Sequence, residues 1–564
     1  MAALRMKQLN FPAFLAVSVF ALAACGGGGG DDNGGGGGGG GGANVTISGK
    51  ITFDRVPFRT SPLQGLNFSA PIASPARQVV VEAVQPGNVL GGETVLASTV
   101  TDTNGDYSLL VPANRSLFIR AKARMEKTGS APTWAFQVLN NTNSDALYVL
   151  DGAASSSGSS NTTRNLHAAS GWTNGYTGTR SAAPFAILDT IYKVKELILT
   201  ANANTAFPAL DLYWSVSNRP SDALCPDTGD IISSLYVTFG SGEMDECTTP
   251  TAGRSGIYIL GNFQIGDTDE FDQHVIAHEA GHYFETQFSR SDSIGGSHGS
   301  GDRLDLRVAF GEGWGNGFGA MVLNDPQYRD SFSGANGDSG FNIESGTVVN
   351  PGWFSEFSVH KFLWDLFDPA NESGDTVALG FAPIHAVMVN SQPNTDAMTS
   401  LFPFARALKV NNATSVSGIN ALLAEHGVSA ITDDFGTTEP AQGNIVPIYT
   451  TINSGDPPVN LCGTKADGEY NKLSNRRLLR FQSASARTVS VTVVATTGTN
   501  PDPDVVVWRR GNVVAYGETV GVTETLQVPV QAGTYIIEIY DYNHVDQDTG
   551  TGSATTCMNV SIAG

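Results

Sequence analysis

The chain has little positive charge. Its 564 residues include 32 Lys and Arg against 54 Asp and Glu, so the formal net charge is −22. This balance disfavours nucleic acid as a partner and suits a solvated surface outside the cell. Cysteine is also scarce, with five residues whose spacing does not resemble a zinc site. After the N-terminal segment, no apolar run in the sequence is long enough to cross a membrane.

The N-terminal segment has the form of a signal peptide. Arg5 and Lys7 precede an apolar run over residues 11–20, which is too short to span a bilayer as a mature helix. The run is followed by the word LAAC, which resembles a bacterial lipobox. The resemblance implies lipidation of Cys25 and, because Gly26 follows it, anchoring to the bacterial outer membrane, facing the periplasm or the cell exterior. An ordinary secretory signal is the alternative.

The length of the chain predicts several domains. A chain of 564 residues, 41% of them hydrophobic, can bury sizeable cores and is too long for one ordinary domain. We predict a signal peptide over residues 1–25, a flexible glycine-rich linker over 26–43 and three folded regions over 44–125, 126–454 and 455–564. The first and last of these regions consist of short β-rich runs, whereas the middle one mixes strands with helices.

The two terminal regions resemble known β-sandwiches. The word TDTNGDYSLLVP at residues 101–112 is similar to a hairpin of carboxypeptidase regulatory-like, transthyretin-like domains. Its acidic residues could ligate calcium, but an Asn-Gly turn explains them without a metal. In the last region, PDVVVW at residues 503–508 and QAGTYIIEIY at residues 531–540 resemble the pre-peptidase C-terminal sandwich found after secreted proteases. These resemblances imply an accessory sandwich at each end.

The middle region contains the word HEAGH. An α-helix turns once per 3.6 residues, so His278 and His282 lie on one face and can hold one metal ion between them. Glu279 is rotated away from this face, where its carboxylate can act as general base on a water molecule at the metal. Apolar residues recur at helical spacing around the word, and Asp267 with Glu270 fits a capping box at the start of the helix.

A catalytic zinc site needs a third protein ligand, and we predict that Glu312 supplies it. Glu312 follows in the word GEGWGN. HExxH followed by GEGW resembles the gluzincin metallopeptidases, most closely the fungalysin-like branch. The resemblance implies a zincin-like α+β core that binds one zinc ion through His278, His282 and Glu312. Where the family has an aspartate this chain has Asn316, whose amide oxygen can accept a hydrogen bond from a ligand histidine but lacks the charge that raises ligand basicity.

Other residues compete for the third ligand position. His298 lies in a glycine-rich stretch whose mobility suits a loop better than a preorganised ligand. Glu285 would lie too far along a straight helix, and His274 is expected to be solvated or to lie behind the ligands. Helix propensity also opposes a helix around Glu312, because each interior glycine costs about 1 kcal/mol relative to alanine. The same glycines would allow close approach to the HEAGH helix.

The predicted reaction is peptide-bond hydrolysis. Glu279 would take a proton from the attacking water and deliver it to the leaving amine. His360, His385 and nearby tyrosines are candidates for stabilising the oxyanion. The run at residues 256–260 predicts a short strand, and in gluzincins a strand in this place pairs with extended substrate. The GxMEN word of the related aminopeptidases is missing, which favours an endopeptidase.

The remaining cysteines predict two disulfides. With Cys25 assigned to lipid, Cys225 and Cys247 bracket a short acidic loop, and Cys462 and Cys557 bracket the C-terminal segment. We predict these two pairings over the other possibilities. An oxidising periplasm or cell exterior would permit them.

Together these patterns predict a multidomain protein, an α+β zincin-like metallopeptidase core flanked by two β-sandwiches. The predicted function is that of an extracytoplasmic zinc endopeptidase acting on protein or peptide substrates, which contacts the membrane only through its lipid anchor. The rival hypothesis is a catalytically inactive surface lipoprotein of metallopeptidase fold that binds glycan or protein. Structural calcium and the oligomeric state stay open at this point.

Overall fold

The computed structural model describes residues 43–564 except residues 61–63, 88–90, 241–242, 249–250, 265–266, 333–336, 370–374, 441–444 and 547–551. The predicted signal peptide with Cys25, and the linker up to residue 42, lie outside the described residues. The described residues form a multidomain, β-rich architecture with several sheets and a group of helices in the middle of the chain. None of the described helices has the length and apolarity that a bilayer crossing requires.

The elements are numbered in chain order. The strands of the first half are β1 (Asn44–Arg55), β2 (Ile72–Pro75), β3 (Val79–Gln85), β4 (Thr94–Val100), β5 (Asp106–Pro112), β6 (Ser116–Lys127), β7 (Trp134–Asn140), β8 (Ala146–Leu147), β9 (Val149–Asp151), β10 (Ser155–Ser156), β11 (Thr162–Thr163), β12 (Leu166–Ala168), β13 (Leu210–Trp214), β14 (Leu224–Cys225), β15 (Asp230–Ile231), β16 (Leu235–Val237) and β17 (Gly256–Ile259). The later strands are β18 (Gln327–Ser331), β19 (Asp338–Asn342), β20 (Tyr449–Ile452), β21 (Val459–Thr464), β22 (Arg476–Ser483), β23 (Arg487–Ala495), β24 (Pro503–Arg509), β25 (Asn512–Gly517), β26 (Thr523–Val530), β27 (Gly533–Asp541) and β28 (Thr555–Ala563). The α-helices are α1 (Ala183–Ala201), α2 (Gln273–Phe288), α3 (Leu306–Leu323), α4 (Glu356–Phe367), α5 (Phe381–Asn390), α6 (Leu401–Asn411), α7 (Val416–Glu425) and α8 (Tyr542–Val545). Short 3-10 helices span Pro226–Thr228, Asp269–Phe271, Gln392–Asn394 and Ala413–Ser415.

The N-terminal strands are divided between two sheets. β1 is central in the first sheet, antiparallel to β2 and β5 and parallel to β11 and β12. The second sheet runs in the order β16, β17, β13, β7, β6, β3, β4. The expected boundary between residues 125 and 126 falls inside β6, which pairs with β3 on one side and β7 on the other. That position therefore does not separate two folded units, because one sheet continues across it.

The second sheet has an antiparallel strand at one edge. β13 is parallel to β7 and β17. β16 pairs antiparallel with β17 and is the last strand at this end of the sheet among the described residues. The strand expected at residues 256–260 is present as β17, but it has a neighbour on each side. Its backbone is therefore not open to an extended substrate, and among the described residues β16 is the strand that ends this side of the sheet.

The helices of the middle region pack against this sheet and against each other. α1 contacts β6 and β7, α2 contacts β16 and β17, and α3 lies between α2 and α4. Apolar side chains of these elements and of the N-terminal strands form one continuous core. This core fixes α2 and α3 side by side.

The C-terminal region is a two-sheet sandwich with its own core. One sheet has the order β20, β22, β27, β24, β25, and the other has the order β21, β28, β23, β26. Apolar residues such as Val491 and Val560 alternate along their strands and meet between the sheets. β20 lies before the boundary expected between residues 454 and 455, yet it pairs with β22, so the sandwich already includes Tyr449.

Both predicted disulfides are present. Cys225 and Cys247 close a loop in the middle region, and Cys462 and Cys557 join β21 to β28 in the sandwich. Bonds of this kind persist in oxidising compartments, so they indicate an extracytoplasmic protein.

A buried ionic network joins the sandwich to the middle region. Arg307, in the first turn of α3, is fully buried and lies 2.8 Å from Asp305 and 2.8 Å from Glu538 of β27. Trp508 of β24 donates a hydrogen bond to the same Glu538 at 2.8 Å. Asp305 also caps α3, because its side chain accepts the backbone N–H of Arg307 at 3.0 Å. The sandwich is thereby fixed to the N-terminal end of α3.

Candidate metal centre

The HEAGH word lies in α2, which begins among buried acidic residues. The N-terminal flanking residue of α2 is Asp272, and the 3-10 helix Asp269–Phe271 precedes it. The predicted capping box of Asp267 and Glu270 is wrong, because the carboxylate of Glu270 pairs with the buried guanidinium of Arg180. In addition, α2 begins only at Gln273, so Asp267 and Glu270 both lie before the helix that they were expected to cap.

α3 brings Glu312 to α2 through its glycines. A Cβ atom at Gly315 would lie 2.7 to 2.9 Å from three ring atoms of His278, and one at Gly281 would lie 3.0 Å from Cα of Gly315. The two helices can approach this closely only because both positions lack a side chain. Trp314 adds a hydrogen bond from Nε1 to the carbonyl oxygen of Gly281 at 2.9 Å. Tertiary packing thus stabilises a helix that propensity alone disfavours.

His278, His282 and Glu312 form a three-donor group. The Nε2 atoms of the two histidines lie 3.1 Å apart, and Oε2 of Glu312 lies 3.4 Å from each. Ligand atoms bound tetrahedrally to one zinc ion at about 2.0–2.1 Å are about 3.3 Å apart. The three atoms therefore fit a single ion with a fourth position left for water or substrate. The site offers a possible metal-binding set of two imidazoles and one carboxylate.

The charge on Glu312 is set by its neighbours. Burial acts against the ionised form, but the neighbouring histidines His282, His278 and His298 hold the pKa of Glu312 well below its usual range. Glu312 is therefore anionic, as a metal ligand must be.

Glu279 lies beside the three-donor group and below the edge strand. Its Oε2 accepts a hydrogen bond from the backbone N–H of Tyr236 in β16 at 2.7 Å. The side chain is buried, and burial raises the pKa of Glu279 above its ordinary value. A carboxylate with a raised pKa is a stronger acceptor for a proton from water.

Asn316 fixes the ring of His278. Its Oδ1 lies 2.9 Å from Nδ1 of His278. An amide oxygen only accepts, so Nδ1 of His278 donates, and the lone pair of this histidine is left on Nε2 within the three-donor group. The hydrogen bond expected at this position is therefore available without the charge of an aspartate.

His298 contacts Glu312 from the other side. Its Nε2 lies 3.1 Å from Oε2 of Glu312, and its Nδ1 lies 2.6 Å from Oε2 of Glu356. Burial opposes the charged ring, but the hydrogen bonds to the two carboxylates raise the pKa of His298 to about 11. His298 therefore holds the carboxylate of Glu312 in place from outside the three-donor group.

The loop that carries His298 is held by the C-terminal sandwich. The side-chain amide of Asn471 donates to the carbonyl oxygens of Gly295 and Ser297, at 2.8 and 3.2 Å, and Nζ of Lys472 donates to Ser297 at 2.6 Å. The glycine content of this loop predicted mobility. That argument missed contacts between segments 174 to 176 residues apart.

The other residues considered from the sequence lie outside the three-donor group. His274 lies 3.1 Å from a backbone carbonyl oxygen, and Glu285 is not one of the three donors. His360 is buried and stacks on Phe341 at 5.2 Å, and burial lowers its pKa to about 3. His385 packs beside aromatic rings of α2 and α5, and burial lowers its pKa as well. Packing accounts for both of these histidines.

Two tyrosines near the site follow no pattern in the sequence. Tyr236 contributes only its backbone N–H, which any residue except proline could supply. Tyr328, in β18, has its ring 6.4 Å from that of His278. Burial, together with the charges of Asp330 and Glu279, raises the pKa of Tyr328 well above its usual value. Its phenol therefore keeps its proton and can donate a hydrogen bond.

Comparisons with known proteins give only limited likenesses. No family model and no curated protein matches the chain. One similar solved structure is the pre-peptidase C-terminal domain of a collagenase from Bacillus anthracis. It has 16% identity over 20% of this chain and 93% of that chain, with a TM-score of 0.15. A sandwich of this type is the one expected here from residue 455 onward. CorA, a surface-associated copper-binding protein of Methylomicrobium album BG8, has 9% identity over 21% and 98% of the two chains, with a TM-score of 0.16. PliG, a periplasmic inhibitor of g-type lysozyme from Aeromonas hydrophila, has 15% identity over 20% and 96%, with a TM-score of 0.14. At these TM-scores the likenesses define neither the fold nor the activity of the chain.

Proposed function

We propose that this protein is a zinc-dependent peptidase that acts outside the cytoplasm. The observation that carries the proposal is the three-donor group, whose atoms lie 3.1 to 3.4 Å apart, with the buried carboxylate of Glu279 beside it. A catalytic zinc site has three protein ligands and one open position, whereas a structural site has four protein ligands. The arrangement favours the catalytic kind.

The residues around the group have separate tasks in this proposal. Zinc bound there would polarise a water molecule and a substrate carbonyl. Glu279, aimed by the N–H of Tyr236, accepts the proton of the attacking water and delivers it to the leaving amine. The phenol of Tyr328 is the donor proposed for the developing oxyanion, in place of His360 and His385.

The edge strand favours a peptide substrate. β16 ends the described sheet, and Tyr236 in this strand bonds Glu279. An extended peptide that paired with β16 would run past the general base, with its main chain recognised by backbone hydrogen bonds. This mode needs no free peptide terminus, which agrees with endopeptidase action.

We infer a zincin-like core from the same elements. The parallel strands β7, β13 and β17, the antiparallel edge strand β16 and the paired helices α2 and α3 support it. The N-terminal strands and the C-terminal sandwich would flank this core. The resemblance of HExxH and GEGW to gluzincins favours the same assignment.

We propose that a lipid on Cys25 anchors the protein to the bacterial outer membrane. The support is the lipobox-like sequence and the glycine-rich linker, which would hold the folded region away from the bilayer. Labelling with radioactive palmitate in the native host tests the anchor, and a mature protein without label would exclude it.

The general base can be tested apart from the metal. The purified protein should hold about one zinc ion per chain and hydrolyse casein. Glu279→Gln should keep the zinc and lose activity by about 100-fold or more. Glu285→Gln, a matched change on the same helix outside the three-donor group, should keep both. Zinc binding without cleavage of any unfolded protein would sink the peptidase proposal and favour a binding lipoprotein.

The third ligand has its own test. Glu312→Ala should abolish zinc binding, measured by equilibrium dialysis and metal analysis, because only two histidines would remain. Retention of zinc in this variant, and its loss in His298→Ala, would instead assign the third position to His298.

A further inference from the structure

A second cluster of carboxylates lies at the N-terminal end of α2. Asp267, Asp269 and Asp272 come from the segment between β17 and α2, and Asp330 comes from β18. One oxygen of each of these four residues lies within 4.8 Å of the others. We call these four residues the acidic cluster. It shares no residue with the three-donor group.

Two members of the acidic cluster each present one fixed and one unpartnered oxygen. Oδ2 of Asp269 accepts a hydrogen bond from Ser234, and Oδ2 of Asp272 accepts from the backbone N–H and hydroxyl of Ser331 at 2.6 and 2.7 Å. The Oδ1 atoms of both residues are buried and have no hydrogen-bond partner. Asp269 is 2% exposed and Asp272 is 0% exposed, so bulk water does not replace the missing partners. Oδ1 of Asp330 is likewise buried and unpartnered. Buried acceptors left in this state are costly unless a further ligand satisfies them.

Protein cations do not neutralise the acidic cluster. Among the residues that the structure describes, none of the four forms an ion pair with Lys, Arg or His, and the nearby Arg180 pairs with Glu270. Burial and mutual repulsion accordingly raise the pKa of Asp269 and Asp272 well above the usual range. The carboxylates are positioned by serines but lack a positive partner.

We propose that the acidic cluster is a calcium site. Calcium takes six to eight oxygen ligands at about 2.3–2.6 Å, so oxygens up to about 5 Å apart can share one ion, and the four oxygens of the cluster lie within 4.8 Å of one another. Zinc is disfavoured because no nitrogen or sulfur donor is present. Magnesium prefers a tighter octahedron at about 2.0–2.1 Å. Water or backbone carbonyl oxygens would complete the shell.

Calcium bound there would tie together the elements that build the zinc site. The serine contacts of Asp272 and the backbone bridge between Asp267 and Phe332 already place the start of α2 against β18. β18 directly follows α3, and it carries Tyr328. The ion would therefore stabilise the relative position of α2, α3 and Tyr328. This site needs no peptidase activity, so the inference is independent of the proposed function.

The test uses the zinc-loaded, full folded chain. Calcium titrated to about 10 mM should raise Tm by about 3 °C or more, as expected for Kd values of about 0.1–1 mM typical of extracellular modules. Terbium should bind the same site and show luminescence sensitised by nearby aromatic rings. Asp269→Asn with Asp330→Asn should remove both responses. Asp222→Asn, an exposed control, should keep them.

Two further measurements separate a lost site from a lost fold. In calcium-free buffer the double variant should be at least as stable as the parent, because it relieves the repulsion and the burial cost of the clustered carboxyl groups. If it does not fold, Asp330→Asn alone, at a partly exposed position, should weaken terbium binding about tenfold or more. Glu312→Ala should keep the calcium response, which separates this site from the zinc site.

Three outcomes would overturn the inference. One is the absence of any Tm shift or terbium signal in the parent protein. Another is an undiminished calcium response in the double variant. The third is a response to magnesium as large as that to calcium, which would leave a divalent site but reject the calcium assignment.

Discussion

At the scale of single residues, burial decides how ionisable side chains behave. Asp365 of α4 is 6% exposed. Burial is the main cause that raises the pKa of Asp365 to about 8; Lys361 acts in the opposite direction, and the charges of Asp375 and Glu425 add to the increase. In an unfolded chain the same group titrates near about 3.9. Below about pH 8 Asp365 is therefore a neutral aspartic acid within α4, the helix that packs on α3.

This difference predicts how stability depends on pH. Below about pH 4 Asp365 is protonated in the folded and the unfolded state, so it adds no pH dependence to the free energy of unfolding. Between about pH 4 and 8 only the unfolded chain releases the proton. The free energy of unfolding therefore falls as pH rises through this range. Asp365→Asn should remove that fall, stabilising the protein by on the order of 1–3 kcal/mol at pH 8.5 and leaving it unchanged near pH 4. Urea denaturation at the two pH values measures the effect. An equal change at both would contradict the raised pKa.

At the scale of elements, α3 is a helix whose glycines serve its neighbours. Gly313 and Gly317 face α4, where Cβ atoms would lie 2.5 Å from Val359 and 3.2 Å from Leu363. Gly315 faces His278 in α2. Gly311 is different, since a Cβ atom there would meet nothing closer than 3.5 Å. These glycines therefore form a packing surface on both sides of the helix, whereas Gly311 leaves room for a methyl group.

Two alanine substitutions in α3 should differ in their effect on zinc binding. Each replaces an interior helical glycine and gains up to about 1 kcal/mol of helix propensity. Gly311→Ala should keep zinc and raise Tm slightly. Gly315→Ala should displace the ring of His278 and reduce zinc affinity by about tenfold or more. Competition with a chromogenic chelator measures the affinity, and equal zinc binding in the two variants would show that the close approach is unimportant.

At the scale of the whole molecule, the C-terminal sandwich belongs to the architecture of the site. Glu538 of β27 binds Arg307 at the start of the helix that carries Glu312. Asn471 and Lys472 hold the loop of His298. An inert accessory domain would not need these buried contacts, so we expect the sandwich and the middle region to unfold together.

Two ion pairs across this interface should differ in strength. Glu538→Gln leaves the buried Arg307 with a single carboxylate and should destabilise the protein by about 3 kcal/mol or more. Asp396→Asn breaks the exposed pair with Arg510 and should cost less than about 1 kcal/mol. Scanning calorimetry measures both changes. Separate transitions in the parent protein, with only the sandwich affected by Glu538→Gln, would refute the coupling.

Several features were set by the sequence alone because their geometry is local. The spacing of His278 and His282 on one helical face follows from the helical repeat, and the side chain of Glu279 is turned aside by the same geometry. Alternating apolar residues predict β1 and β5, since the two faces of these strands differ in burial. The cysteine positions sufficed for both disulfides.

Other features were decided only by the tertiary structure, because they depend on contacts between distant segments. No local pattern shows that β6 joins the N-terminal strands to the middle sheet, or that β16 rather than β17 lies at its edge. The partners of His298 and the acidic cluster are assembled from segments far apart in the chain. The sequence by itself determined which residues can act together on one helix. Packing over long range decided which neighbours surround them and which carboxylates are left without a partner.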